Sequence, residues 1–167
     1  MLCHVTGAKG LVGQEVCSAL SKLGEVQATD VDDMDVTNLD VVRSTLSANP
    51  PDVVVHVAGG KGNLPGREQP LKFFDINTIG TMNLLEVSRH LGVKHFIFFS
   101  SLTVHGPVTE PVNEESPLAP QHPYSGSKGA SESIVHAYSN GYGIRATIFR
   151  PNFIVGPMYP PTPYEDN

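Results

Sequence analysis

The feature that most constrains this chain is a turn of three glycines between an apolar strand and an amphipathic helix. Leu2 to Thr6 reads as a short strand, and Thr6-Gly7-Ala8-Lys9-Gly10-Leu11-Val12-Gly13 follows it. Leu11, Val12, Val16, Ala19, Leu20 and Leu23 then recur at helical spacing, with Gly24 as the stop. The same alternation of strand and helix runs through the rest of the chain. Val26 to Asp30 is a second strand, but only Val31-Asp32-Asp33 separates it from Met34-Asp35-Val36. Parallel strands need about a dozen or more residues between them. Either a third strand is reduced to a stub here, or a loop replaces a helix.

Thr37 or Asn38 caps the next helix, which runs through Leu39, Val42, Leu46 and Ala48 to Pro50-Pro51. Asp52 to Ala58 is β-branched on both faces, as a strand buried in a parallel sheet requires. Gly59 to Pro70 is Gly/Pro-rich, and its first part, to Gly66, is expected to be mobile. A helix spans Leu71 to Leu91 and ends at Gly92. Lys94 to Ser101 is a fifth strand, Pro107 to Pro123 a proline-rich loop, Tyr124 to Asn140 a helix and Ile144 to Arg150 a sixth strand. The pattern predicts an α/β fold, a doubly wound parallel sheet shortened between strands 2 and 3, with ligands at the carboxyl ends of the strands. Residues 1–157 form the domain and 158–167 an irregular tail.

Composition sets limits on partners. A chain of 167 residues with 40% hydrophobic and 17% charged residues builds one folded core. A net charge of -6 argues against nucleic acid or an anionic membrane as the main partner, so an anionic ligand needs local amides and a few placed cations. No apolar run reaches the roughly 20 residues of a membrane span, and no signal peptide is visible, so the expected location is the cytoplasm. Cys3 and Cys17 read as small hydrophobes rather than a disulfide. The seven histidines show no metal-ligand spacing, and no metal site is expected.

Three groups of residues carry chemistry. In the glycine turn, Gly7 permits a sharp exit from the strand, Gly10 a close backbone approach to a pyrophosphate, and Gly13 close helix–strand packing. The amides and dipole of the helix N-terminus favour an anion there. Asp30 closes the second strand, where a carboxylate can accept hydrogen bonds from an adenosine ribose. No arginine follows it to meet a 2′-phosphate, so NAD is favoured over NADP. Ser101, Tyr124 and Lys128 form the third group. A free tyrosine titrates at about pH 10, too high for a neutral-pH base, and a nearby ammonium lowers that value. Tyr124 and Lys128 share one helix face at i and i+4, and a strand-end serine can bond a substrate oxygen.

These motifs resemble the extended short-chain dehydrogenase/reductase family, the NAD-dependent epimerases and dehydratases of nucleotide sugars. Thr6 to Gly13 matches that family's T-G-x-x-G-x-x-G turn, and Asp35-Val36 its adenine-contacting pair. His56-Val57-Ala58-Gly59-Gly60-Lys61 is similar to its segment against the pyrophosphate and nicotinamide ribose. Asn77-Thr78-Ile79-Gly80-Thr81 matches an N-x-x-G-T helix, and Ser100-Ser101-Leu102-Thr103-Val104-His105-Gly106 an S-S-x-T-V-Y-G strand end. The resemblance implies a Rossmann fold. It makes Ser101, Tyr124 and Lys128 catalytic. It assigns the cofactor to Gly7, Gly10, Leu11, Val12, Gly13, Asp30, Asp35, Val36, Val57, Ala58, Gly59, Lys61, Asn77, Tyr124, Lys128 and Pro151. It further implies a nucleotide-sugar substrate and a homodimer through helices 71–91 and 124–140.

The departures from the family are specific. Leu102-Thr103 follows Ser101 where dehydratases of the family carry Asp-Glu, which leaves the local pattern closest to UDP-galactose 4-epimerases. His105 stands for the usual Tyr, and Phe153 for an Asn in the closing R-P-x-N-V-Y-G-P segment. The short Asp30–Asp35 link is similar to that of deoxysugar reductases. Family members continue for about as much chain again, so the resemblance implies that a C-terminal substrate domain is missing. A non-catalytic NAD-binding module or sensor is the competing reading.

Overall fold

The computed structural model describes residues 1–60 and 69–156. The expectations for Lys61, for most of the 59–66 loop and for the tail from Pro157 lie outside the described residues. Strands β1 (Leu2–Thr6), β2 (Glu25–Thr29), β3 (Val53–His56), β4 (His95–Phe99) and β5 (Arg145–Phe149) form one parallel sheet in the order β2-β1-β3-β4-β5. Around it lie helices α1 (Leu11–Leu20), α2 (Leu39–Ala48), α3 (Pro70–Phe73), α4 (Gly80–Leu91) and α5 (Pro123–Tyr142).

Because β2 and β3 flank β1 on opposite sides, the two crossovers run in opposite directions. Right-handed crossovers then put α1 and α2 on opposite faces of the sheet. The main core lies on the α2 side, where Val42, Leu46, Leu84, Leu85 and Val135 pack against Val54, Phe96 and Phe98. Helix α1 packs on β1 and β2 and adds no residue to that core. The strand-order reversal between β1 and β3 opens the crevice where such sheets bind ligands.

One open alternative is decided in favour of the loop, and two expectations are corrected. No strand forms at Met34–Val36: the Asp33 and Met34 amides both donate to the Asp30 carbonyl, at 2.9 and 2.8 Å, turning the chain away from the sheet. Met34 and Val36 are instead buried in the core, so a loop replaces both the crossover helix and the stub, and the remaining strands become β4 and β5. Helix α1 stops at Leu20, and Leu23 is exposed. The Gly24 amide still donates to the Leu20 carbonyl at 3.1 Å, and its lack of a Cβ also permits a close pass, since a Cβ there would lie 2.4 Å from the Met1 carbonyl oxygen. The helix expected over 71–91 is α3, then a π-helical stretch Phe74–Ile79, then α4. Within this stretch the Thr81 and Ser131 hydroxyls both donate to the Asn77 carbonyl.

Candidate functional site

A cleft of about 900 Å³ runs along the carboxyl ends of the strands, from Asp30 at the β2 edge to Tyr124 and Pro151 at the β5 edge. At its centre the chain leaves β1 through Gly7, whose φ of +69° a side chain would strain. A Cβ at Gly7 would also sit 2.6 Å from the Ala58 nitrogen. A Cβ at Gly13 would sit 2.1 Å from the Gly7 oxygen, so this glycine sets how closely α1 packs on the turn. Gly10 differs: its Cβ would meet only the Gly7 oxygen, at 3.3 Å, and Gly10 itself lines the cleft. Gly10 caps α1 with no side-chain hydrogen bond, leaving the amides of the first turn to face the cleft with the positive end of the helix dipole.

The chemistry of this end fits a dinucleotide. The amides suit a pyrophosphate, and Asp30 supplies a carboxylate one strand away. Asp30 already accepts from the Lys9 amide at 2.8 Å and from its neighbour Val31. The side chain of Lys9 crosses from the glycine turn to Asp32 at 3.1 Å and Asp33 at 3.5 Å. No arginine follows Asp30, and the cation at this end, Lys9, is already neutralised by two acids. Asp35 and Val36 line the same end, Asp35 also capping the Thr37 turn.

At the other end, Lys128 is 4% exposed, yet its Nζ donates to the Phe99 carbonyl at 2.8 Å and lies 4.9 Å from the Phe98 ring centre. Burial brings its pKa down to about 8, with Glu132 pulling the other way. Ser101 ends β4, its Oγ 2.9 Å from Thr103 Oγ1. Tyr124 packs edge-on against Phe73. Burial raises its phenol above the ordinary value, and Ser101 beside it acts in the opposite sense. The lowered phenol expected from a lysine one turn away is not what the structure has, because the ammonium is drawn to the strand end and desolvation dominates. His122, which the sequence reading did not single out, caps α5 by accepting from the Ser125 amide, with Pro123 at the first helical position.

Of the remaining expected residues, Leu11, Val12, Val57, Ala58, Gly59 and Pro151 line the cleft, whereas Gly13 and Asn77 lie behind it. Asn77 is fully buried; its Oδ1 accepts from the Gly60 amide and its Nδ2 donates to Ser127, each at 2.8 Å. A Cβ on Gly59 would come within 3.0 Å of Asn77 Oδ1 and 3.1 Å of Lys128 Nζ. A second buried chain links Thr6, His56 and Thr81, with His56 Nδ1 2.8 Å from Thr6 and Nε2 3.1 Å from Thr81. The sequence reading missed Lys9, Lys72, Ile76, Phe99 and Asn152 in the cleft wall. Lys9 was legible within the glycine turn; Phe99 was not, since it contributes its carbonyl.

The chain is similar to known proteins in sequence and fold. The model of the NAD dependent epimerase/dehydratase family matches residues 3–166. The UDP-glucose 4-epimerase of Streptococcus mutans is 30% identical over 164 residues, which is 87% of this chain and 49% of that protein. That of Bacillus subtilis is 29% identical over 171 residues, 86% of this chain and 50% of that protein. The chain thus spans about half the length of the curated relatives it matches. Among solved structures, the Thermus thermophilus UDP-glucose 4-epimerase complex with NAD superposes with a TM-score of 0.83 at 27% identity, over 90% of this chain and 54% of that one. A dTDP-4-dehydrorhamnose reductase from Clostridium acetobutylicum gives 0.81 at 30% identity, over 90% and 52%.

Proposed function

The chain belongs to the NAD dependent epimerase/dehydratase family, and from that premise we propose that it is the cofactor half of an NAD-dependent sugar-nucleotide epimerase or reductase. The observation that carries this reading is the cleft, with the uncapped α1 N-terminus and Asp30 at one end and Ser101, Tyr124 and Lys128 at the other.

The amides of Leu11 and Val12 would hold the pyrophosphate, Asp30 the adenosine ribose and Lys128 the nicotinamide ribose; Gly7, Gly10 and Gly59 add no side chain to the cleft, and Val57, Ala58 and Pro151 line it. NAD supplies the hydride acceptor or donor at the sugar carbon. Tyr124 moves the proton of the hydroxyl on that carbon and Ser101 donates to the same oxygen, while Lys128 serves through the nicotinamide ribose. The phenol stays protonated at neutral pH, the form that donates to a carbonyl, which suits the reductive half of either reaction. The direct loop from Asp30 to Val36 and the likeness to the dTDP-4-dehydrorhamnose reductase support a carbonyl reductase as the second reading. The reading includes a homodimer through helices 71–91 and 124–140, supported by the exposed Phe74, Ile79 and Met82.

The test is hydride transfer, followed at the nicotinamide absorbance, with a panel of UDP- and dTDP-sugars and their keto forms. Turnover that disappears in Tyr124→Phe supports the assignment, and turnover that survives it defeats the mechanism.

A further inference from the structure

Glu132 lies one helical turn beyond Lys128 and is 1% exposed, yet none of the steps above uses it. Two strand ends grip its carboxylate. Ser100 Oγ donates to Oε1 at 2.5 Å, while Arg150 donates through Nη2 to Oε2 at 2.8 Å and through Nε to both oxygens at 3.1 and 3.2 Å. Ser100 and Arg150 continue the β4–β5 register, in which Phe99 faces Phe149, and the Ser100 amide donates to the Phe149 carbonyl at 2.7 Å. Arg150 Nη1 is held by the Glu114 carbonyl and by His105 Nε2, which leaves His105 Nδ1 to donate to the Pro117 carbonyl. The carboxylate is therefore fixed in place from α5, β4 and β5 together.

Lys128 sits on the same face of α5, at i and i+4 from this carboxylate. An ammonium taken out of water is costly unless an opposite charge compensates it. Among the described residues, the other titratable groups around Lys128 supply no negative charge to it. His56 on β3 stays neutral, its pKa held at about 3 by burial and by Lys128 itself. Tyr124 is a protonated phenol, and Arg150 is spent on Glu132. The Lys128 contact to the Phe99 carbonyl and the Ser100 contact to Glu132 come from adjacent residues, so one strand end registers both charges.

We infer that Glu132 is a positioning residue of this site, whose carboxylate, locked by Ser100 and Arg150, is the fixed charge that holds the buried Lys128 as an ammonium against the Phe99 carbonyl. Its meaning for catalysis rests on the proposed function; the charge coupling is a property of the chain alone. The test is NMR of the full chain labelled with ¹³C at lysine Cε, the Lys128 signal being assigned by its loss in Lys128→Arg. Its titration midpoint near 8 should fall by about one pH unit or more in Glu132→Gln, which keeps the shape and still accepts from Ser100. Glu132→Asp, which keeps the charge, should restore most of that loss. In the unmodified chain, labelled also with ¹³C at the glutamate carboxyl, the Glu132 signal should report the loss of the neighbouring Lys128 proton by a change at the Lys128 midpoint, a readout that needs no variant to fold. An unchanged midpoint in folded Glu132→Gln, or a flat Glu132 signal across that range, overturns the inference. NAD titration of the same samples keeps the two claims apart, because failure to bind NAD defeats the functional reading and leaves the lysine result standing.

Discussion

The ammonium of Lys128 donates to the carbonyl of Phe99 at 2.8 Å, joining α5 to the end of β4 beneath the cleft. This contact holds a charge where water is excluded, and the protein's pH behaviour follows from it. The pKa of Lys128 is lowered from 10.5 to about 8. Above about 8 the folded chain has released this proton while the unfolded chain keeps it until 10.5. Stability should therefore rise with pH across that window, by on the order of 3 kcal/mol in total. Urea melts from pH 7 to 10 should show the rise, and Lys128→Met should flatten it.

His56 acts in the same sense at lower pH. Its pKa is lowered from 6.5 to about 3, first by burial and then by Lys128. The neutral ring contributes stability that is present above 6.5 and lost as pH falls towards 3. The slope should be about 1.4 kcal/mol per pH unit for this one proton. Denaturation between pH 6.5 and 5 should show one proton fewer taken up on unfolding in His56→Asn than in the unmodified chain.

Removing one partner of the Glu132–Arg150 pair strands a buried charge. Arg150→Met should cost about 3–5 kcal/mol, whereas Glu132→Leu with Arg150→Met should recover much of it. Chemical denaturation of the single and double variants measures this, and equal losses in both would show that the pair is not the cause.

The glycines of the turn should separate by role. Gly13→Ala drives a methyl into the Gly7 carbonyl, since the Cβ would lie 2.1 Å from it, and should destabilise by about 1–3 kcal/mol. Gly10→Ala, with 3.3 Å to the same oxygen, should fold with little loss. Thermal melts of the two variants decide it.

Which parts of the fold were legible in the sequence follows from locality. The strand–turn–helix start, the β-branched β3 and the Asn38 cap, which accepts from Asp40 and Val41, depend on neighbours in sequence. The loop over Asp30–Val36 was left between two readings, because carboxylate and amide contacts within a single turn decide it. The π-helical stretch at Asn77 packs against α5, where Ser131, 54 positions away, bonds the Asn77 carbonyl, and no periodicity reports that contact. The cleft was legible as motifs; the pull of Phe99 on Lys128, the hold of Asp32 and Asp33 on Lys9 and the grip on Glu132 were not. All three are long-range pairings of ordinary residues.

Cofactor choice should follow the acids beside Asp30. A ribose 2′-phosphate would face Asp30, Asp32 and Asp33 together, while Lys9 is already paired with the last two. NAD should bind at least about tenfold more tightly than NADP. Asp32→Asn with Asp33→Asn should free Lys9 and narrow that gap, and Lys9→Ala should not; competition titrations with the two dinucleotides check both.

The central claim is that this cleft holds NAD against the α1 N-terminus. Calorimetric titration of NAD into the unmodified chain and into Gly10→Asp tests it most directly, with circular dichroism confirming that both are folded. The account predicts one site per chain in the unmodified protein and none in Gly10→Asp, where a carboxylate would stand at the pyrophosphate position. No binding to the folded unmodified chain, or equal affinity in the variant, would contradict it.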